Sequence, residues 1–312
     1  MLLLLVSVGS LSGGLGADSD GVEYDEVFIA GERGGKDKVL QIAIRGAIAE
    51  VQTALLGASG GTVSQVKRAL RQAAADDIQG VLLYIDSPGG GVTDSDVIYQ
   101  MVQAFRREHP KKVVMALFGD IAASGGYYIA VAAEHITSRR TTITGSIGVI
   151  MSAWNFAEAA KKLGVDQVAI KSERTPWKDM LSPTRAMQPE ERAMLTAIVD
   201  ELYDQFVSVV DEGRDNLDRA QVVAAANGAV YTAKQALALG LVDDIGDYDT
   251  ALAWFRQKLG KDVTIIEARR RAGLGDLLFG AFAAPKGADA AIANLLTTST
   301  GPRFLYYWEG GR

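Results

Sequence analysis

The chain reads as α/β with a parallel sheet, and three observations carry that reading. Short β-branched runs recur at Val39–Ile44, Val81–Ile85 and Val113–Phe118. Helical-period stretches stand between them, which is the βα alternation of parallel sheets. The run Val81–Ile85 is apolar at every position, as a strand covered on both faces must be. No linker strong enough to split the regular region is present.

The elements follow in order from Lys38. Val39–Ile44 is a strand, and a Gly-rich gap (Gly57 to Gly61) leads to a helix with Val63, Val66, Leu70 and Ala74 along one face. Strand Val81–Ile85 ends in Asp86-Ser87-Pro88-Gly89-Gly90-Gly91. Thr93 or Asp94 is expected to cap a helix carrying Val97, Ile98, Met101, Val102 and Phe105. After strand 113–118 come the corner Ala122-Ala123-Ser124-Gly125-Gly126 and a helical pattern, Tyr127–Ala133. The segment Thr142–Ile150 follows, then a helix near 155–163, a strand Gln167–Ile170, and a helix 189–213 whose Leu195, Ile198, Leu202, Phe206 and Val210 stripe reads as core or protomer contact. This divides the chain into a leader with an acidic linker (1–37), a catalytic domain (38–260) and an apolar, basic tail (261–312).

Composition narrows the function. The 312 residues are 48% hydrophobic and 22% charged, enough for a substantial core. A net charge of −6 gives no electrostatic case for nucleic acid. There is no cysteine, so disulfides and thiolate chemistry are excluded. The two histidines, His109 and His135, sit in a polar turn and at a helix-to-strand junction, so a serine nucleophile here is expected to use another base.

The leader Met1–Ala17 is apolar and carries no charge before Asp18, yet it lacks the basic start of a signal peptide. It reads as the tail of a membrane anchor, a signal-like region or a sticky leader. Asp18–Glu32 contains no Lys or Arg, which, if the leader spans a membrane, sets the body on the non-cytoplasmic side. In the tail, Arg269-Arg270-Arg271 precedes Leu274, Leu277, Leu278, Phe279 and Phe282, and Pro302–Trp308 is again apolar. Such a tail can lie on a membrane, pack on a neighbouring subunit, or bring the chain's own end to the active sites.

Three places carry chemistry. Ser124 sits where a strand turns into a helix, so the first helical amides can stabilise a developing oxyanion; the plain alternative is an N-cap serine. The triple glycine Gly89-Gly90-Gly91 permits close backbone approach, but it lacks a phosphate-loop lysine; Gly90 with Gly125 can form a two-amide oxyanion hole. Lys178, flanked by Trp177, Met180 and Leu181, has the apolar company that lets a lysine act as base, and Lys171 is the alternative.

Taken in series, Tyr84–Gly91, Ala122–Tyr128, Thr144–Val149 and Trp177–Met180 resemble the signal peptide peptidase A (SppA) family, the S49-type serine peptidases. The likeness continues through Val230–Asp243 and covers about residues 38–258. It implies a fold similar to the Clp protease subunit and the crotonases, a superhelix of repeated ββα units. It implies Ser124 as nucleophile, Lys178 as base, Gly90 and Gly125 as oxyanion donors, and no cofactor. The single copy of the domain resembles the short form, whose homo-oligomers of eight subunits draw the serine and lysine of one site from neighbouring protomers. Expected substrates are residual signal peptides or other short apolar peptides at membranes. A crotonase-like acyl-CoA enzyme and a non-enzymatic membrane-assembly scaffold are the alternatives, and within the peptidases a capsid-maturation or stomatin-linked protease.

Overall fold

Strand β4 (Ile78–Ser87) shows why an unbroken apolar run is needed: Val81, Leu83 and Ile85 face one layer of core, while Leu82 and Tyr84 face another. The computed structural model describes residues 14–15, 24–50, 61–260, 262–270 and 303–308. On one side of β4 lies β3 (Asp37–Arg45), and on the other β6 (Val113–Ala123), both parallel to it. Helices α1 (Thr62–Ala73) and α2 (Val92–Glu108) cover the first face through Val66, Leu70, Ile98, Val102 and Phe105. The α2 helix begins at Val92 with Gly91 as its cap, so neither Thr93 nor Asp94 caps it. Between β4 and α2 sits β5 (Gly89–Gly91), making one ββα unit of the Clp protease-like superhelix that the motifs imply.

The strand β6 changes partner along its length. Met115–Leu117 pair with β7 (His135–Ser138), whereas Ile121–Ala123 pair with β8 (Ile143–Gly145). The change coincides with a register shift against β4, where the Asp86 carboxylate fills the gap by accepting the amides of Asp120 at 3.1 Å and Ile121 at 3.2 Å. The short helix α3 (Gly125–Ala130) then drops into the core, and Tyr127, Tyr128, Ile129 and Ala130 are all buried. Beyond it come β9 (Ile150–Ser152), α4 (Ala157–Lys162) and the long α5 (Pro189–Gly213). Helix α6 (Arg219–Ala225), β10 (Val230–Thr232), α7 (Ala233–Ala238) and β11 (Asp244–Ile245) complete this half.

The second face is closed by α8 (Tyr248–Lys258), whose Ala251, Leu252 and Phe255 pack on Val39, Leu82, Met115 and Leu117. Truncating fully buried Phe255 to alanine is expected to cost about 3–5 kcal/mol.

Further elements differ from the sequence reading or add to it. Gln167–Ile170 is not a strand: the segment lies in the open, with Val168 81% and Ile170 97% exposed, and without a neighbouring edge its β-branched residues have nothing to pair with. Within the stretch read as an acidic linker, β2 (Tyr24–Gly31) forms an antiparallel pair with β12 (Val263–Arg270), and β1 (Gly14–Leu15) pairs with β2. The strand β12, read as the start of the tail, lies between β2 and β3. Finally β13 (Arg303–Tyr307) joins β5 and β9 in a separate three-stranded sheet. Residues 1–13 and 271–302, which hold the leader and the Leu274–Phe282 stretch, lie outside the described residues. Among the described residues no helix is long and apolar enough to cross a membrane.

Candidate active site

Ser124 ends β6 and starts α3, with φ 52° and ψ −115°. An L-residue with a side chain avoids that region, at a cost of about 1–3 kcal/mol, so the surroundings must hold it there. They do so at both ends of the residue. The Ser124 amide donates to the Gly145 carbonyl at 2.8 Å, and the Ser124 carbonyl accepts from the Tyr128 amide at 2.8 Å. Gly145 is fixed in turn because Thr144 donates its hydroxyl to Ala122 O at 2.6 Å and Thr142 does the same to Gly119 O at 2.6 Å. The Thr144-Gly145-Ser146 motif is therefore the tie that holds the corner.

The hydroxyl itself is left over. Ser124 is buried, its Oγ makes no cap hydrogen bond to α3, and the oxygen has no hydrogen-bond partner among the described residues. An N-cap serine would have spent its oxygen on the helix. A buried polar atom without a partner is costly, and it is kept where chemistry uses it.

The triple glycine closes on the same spot. Ile48 binds β5 through one edge, donating its amide to Gly89 O and accepting the Gly91 amide on its own carbonyl, each at 2.9 Å. Strand alternation turns the Gly90 amide to the opposite edge, toward Gly125 and β13. A side chain at Gly125 would begin 3.2 Å from Gly90 N and 3.1 Å from the Tyr306 carbonyl oxygen, and would strike Ser95 Oγ. One at Gly89 (φ 101°) would begin 2.7 Å from Gly125 N and collide with the same Tyr306 oxygen. The amide-bearing backbones of Gly90 and Gly125 thus converge beside Ser124, where only glycine leaves room. Ser95 is a residue that sequence reasoning missed: its hydroxyl is buried against Gly125 and, like that of Ser124, has no partner among the described residues. A serine in a helix's first turn gives no signal of such a position.

A cleft of about 540 Å³ begins at Ser146, the residue after the Gly145 that ties the corner. Ser146–Ile150 form one wall, Val199, Asp200 and Tyr203 of α5 another, and Tyr307 and Trp308 reach its edge.

Lys178 is elsewhere. Its side chain is exposed on the segment between β9 and α5, and it makes no hydrogen bond to Ser124 within the chain. The turn that carries it is nevertheless held. Asp179 forms ion pairs with Lys171 and Arg185, and these two cations keep its carboxyl down at about 2. Arg185 also pairs with Glu191, a buried carboxylate that accepts the Gln188 amide at 2.8 Å in the capping box of α5 and is likewise held below its usual range by Arg185. Lys171 donates to Asp179 and, at 2.7 Å, to the Pro176 carbonyl, so it is engaged in the turn's own structure. His135 is bonded to Asp244 at 2.8 Å and stacked on Trp254.

A family model described as Peptidase family S49 matches residues 106–263, a span holding Ser124, the Thr142–Ser146 tie and Lys178. The chain belongs to peptidase family S49. As an S49 member it is a serine-type peptidase. It is 40% identical over 232 residues to a Synechocystis protein named as a protease, covering 74% of this chain and 78% of that one. It is 32% identical over 295 residues to an Enterococcus faecium protein named as signal peptide peptidase SppA, covering 89% and 83%. Among solved structures it is similar to a mutant of the 1510-N membrane-bound stomatin-specific protease in complex with a substrate peptide, at 16% identity, 79% and 98% coverage and a TM-score of 0.47.

Proposed function

We propose that this S49 chain is an endopeptidase with a Ser124–Lys178 dyad, acting on residual signal peptides and other short apolar peptides at membranes. The observation that carries the reading is the buried, unpartnered Ser124 hydroxyl at a strained strand-to-helix corner, facing two glycine backbones. Ser124 Oγ attacks the peptide carbonyl while the Lys178 amine takes its proton. The Gly90 and Gly125 amides hold the tetrahedral oxyanion, and the lysinium protonates the departing amine. Water then attacks the acyl-enzyme and regenerates the serine.

The lysine reaches the serine from a neighbouring subunit of a homo-oligomer, an octamer in the short form. Two features favour this arrangement. The chain's own Lys178 is exposed and not bonded to Ser124. The segment that carries it also exposes Trp154 (79%), Leu163 and Val165 as well as Val168 and Ile170, an apolar surface that a second copy would cover. Lys171 is the weaker candidate because Asp179 and Pro176 already hold its ammonium. If the leader spans a membrane, the Lys- and Arg-free Asp18–Glu32 stretch favours the non-cytoplasmic side for the body.

The test is hydrolysis of a short fluorogenic apolar peptide by wild type, Ser124→Ala and Lys178→Ala. Both variants are expected to lose activity by about a hundredfold or more with an unchanged oligomer size; near-wild-type activity in Lys178→Ala would move the base to another residue, and near-wild-type activity in Ser124→Ala would remove the nucleophile.

A further inference from the structure

The first turn of α2 holds a hydroxyl that its own helix does not use. Ser95 lies in the buried stripe of α2 with Val92, Ile98, Val102 and Phe105, and it is fully buried. Alanine would fill that place at no polar cost. A serine inside a helix commonly returns its hydroxyl to the carbonyl four residues back, as Ser208 of α5 does to Asp204 O at 2.9 Å. Ser95 does not. Its Oγ has no partner among the described residues, and it lies against Gly125 instead.

That contact puts the hydroxyl beside the pair of amides assigned to the oxyanion. The position a side chain at Gly125 would take is 3.2 Å from Gly90 N and 3.1 Å from the Tyr306 carbonyl oxygen, and Ser95 Oγ collides with it. Ser95 and the Gly90 amide therefore flank one small space at Gly125. The neutral Tyr306 carbonyl stands at that space and does not draw the Ser95 proton. An oxygen carrying a full negative charge is a much stronger acceptor.

We propose that Ser95 is a third oxyanion donor, idle beside a neutral carbonyl and engaged only when the carbonyl oxygen becomes charged. The inference rests on Ser124 being the nucleophile and on Gly90 and Gly125 forming the oxyanion hole. As Ser124 Oγ bonds to the carbonyl carbon, the C=O π pair moves onto the oxygen and the serine proton passes to the base. The charged oxygen accepts from Gly90 N, Gly125 N and Ser95 Oγ. When the pair returns, the C–N bond breaks and the amine leaves with the proton from the base. A donor engaged in that state alone raises kcat and leaves substrate binding unchanged. It also accounts for a buried hydroxyl kept without a partner, which is otherwise costly.

The test compares assembled wild type with Ser95→Ala in hydrolysis of a short fluorogenic apolar peptide and in inhibition by acetyl-Leu-Leu-norleucinal, an aldehyde whose adduct with Ser124 places a tetrahedral oxygen in the hole. Ser95→Ala is expected to lose about a hundredfold in kcat, with KM within about twofold of wild type and aldehyde affinity reduced by a similar hundredfold. Its melting temperature is unchanged or raised, because the hydroxyl it removes had no partner. In Ser124→Ala chains, affinity for the uncleaved peptide, read by fluorescence anisotropy, is the same with and without Ser95→Ala. A kcat within about threefold of wild type overturns the third donor. A fall in melting temperature, or an equal loss of uncleaved-peptide and aldehyde affinity, assigns Ser95 to packing and overturns it as well. Hydrolysis and aldehyde inhibition retained in Ser124→Ala overturn the nucleophile itself, and the inference with it.

Discussion

The two halves of the proposed dyad are built in opposite ways. Ser124 lies in a tightly held corner, tied by backbone bonds to Gly145 and Tyr128 and followed by the buried Tyr127 and Tyr128. Lys178 lies on an exposed segment, residues 153–188, in which no side chain is buried in the core, and the Lys171–Asp179–Arg185–Glu191 chain of charges ties it to itself and to the start of α5. The contrast teaches that one chain folds the Ser124 corner and its glycine backbones completely but presents Lys178 outward. On the proposed divided site, catalysis would be coupled to assembly.

Substitutions on either side of this divide are expected to differ in kind. Ser124→Ala should lower turnover by about 10⁴-fold or more while leaving the melting temperature unchanged or raised, because a strained, unpartnered hydroxyl is removed. Lys178→Ala should lower turnover by about 10²–10⁴-fold with no change in thermal stability, read by peptide hydrolysis and calorimetry together. Gly125→Ala breaks the inner half in both respects, since its methyl meets Gly90 N, the Tyr306 carbonyl and Ser95; activity should vanish and about 1–3 kcal/mol of stability should be lost in denaturant titration. Asp179→Ala loosens the outer half alone and should reduce kcat about tenfold with little effect on unfolding, surface ion pairs being worth little to stability.

The smallest effect concerns pH and the inner half. Asp243 is partly buried, which raises its pKa, but two hydrogen bonds from Arg214 (2.6 and 2.9 Å) and the Arg214 charge outweigh this and bring it below the ordinary value. A carboxylate depressed in the folded state contributes stability above its unfolded pKa of about 3.9 and loses it as pH falls through the folded value. Wild type should therefore lose more stability than Asp243→Asn between about pH 5 and pH 3 in thermal melts. A parallel loss in both would show that the pair contributes nothing.

Local signals pointed to the inner half of the candidate site, and long-range pairing hid the rest of the fold. The apolar runs at 81–85 and 113–118, the Ser124 corner and the triple glycine each announce themselves in a few residues, because burial on both faces and tight turns demand particular residue types. Strands β2 and β12 were not legible: Tyr24–Gly31 carries acidic residues suited to an exposed face, and its partner lies more than two hundred residues away. Gln167–Ile170 shows the opposite failure, β-propensity with no edge to join. Pro302–Trp308 read as apolar with three placements open, a membrane, a neighbouring subunit or the chain's own active-site region, because a glycine edge carries no side-chain signal to choose among them.

Mixing tests the divided site most directly. Ser124→Ala and Lys178→Ala chains, each inactive alone, are unfolded together, refolded and assayed on one apolar peptide. If serine and lysine come from different subunits, a random mixture regains intact pairs at about a quarter of the sites of a symmetric assembly, with activity to match. Mixed oligomers of the proper size with no activity would contradict the account and return the base to the serine's own chain.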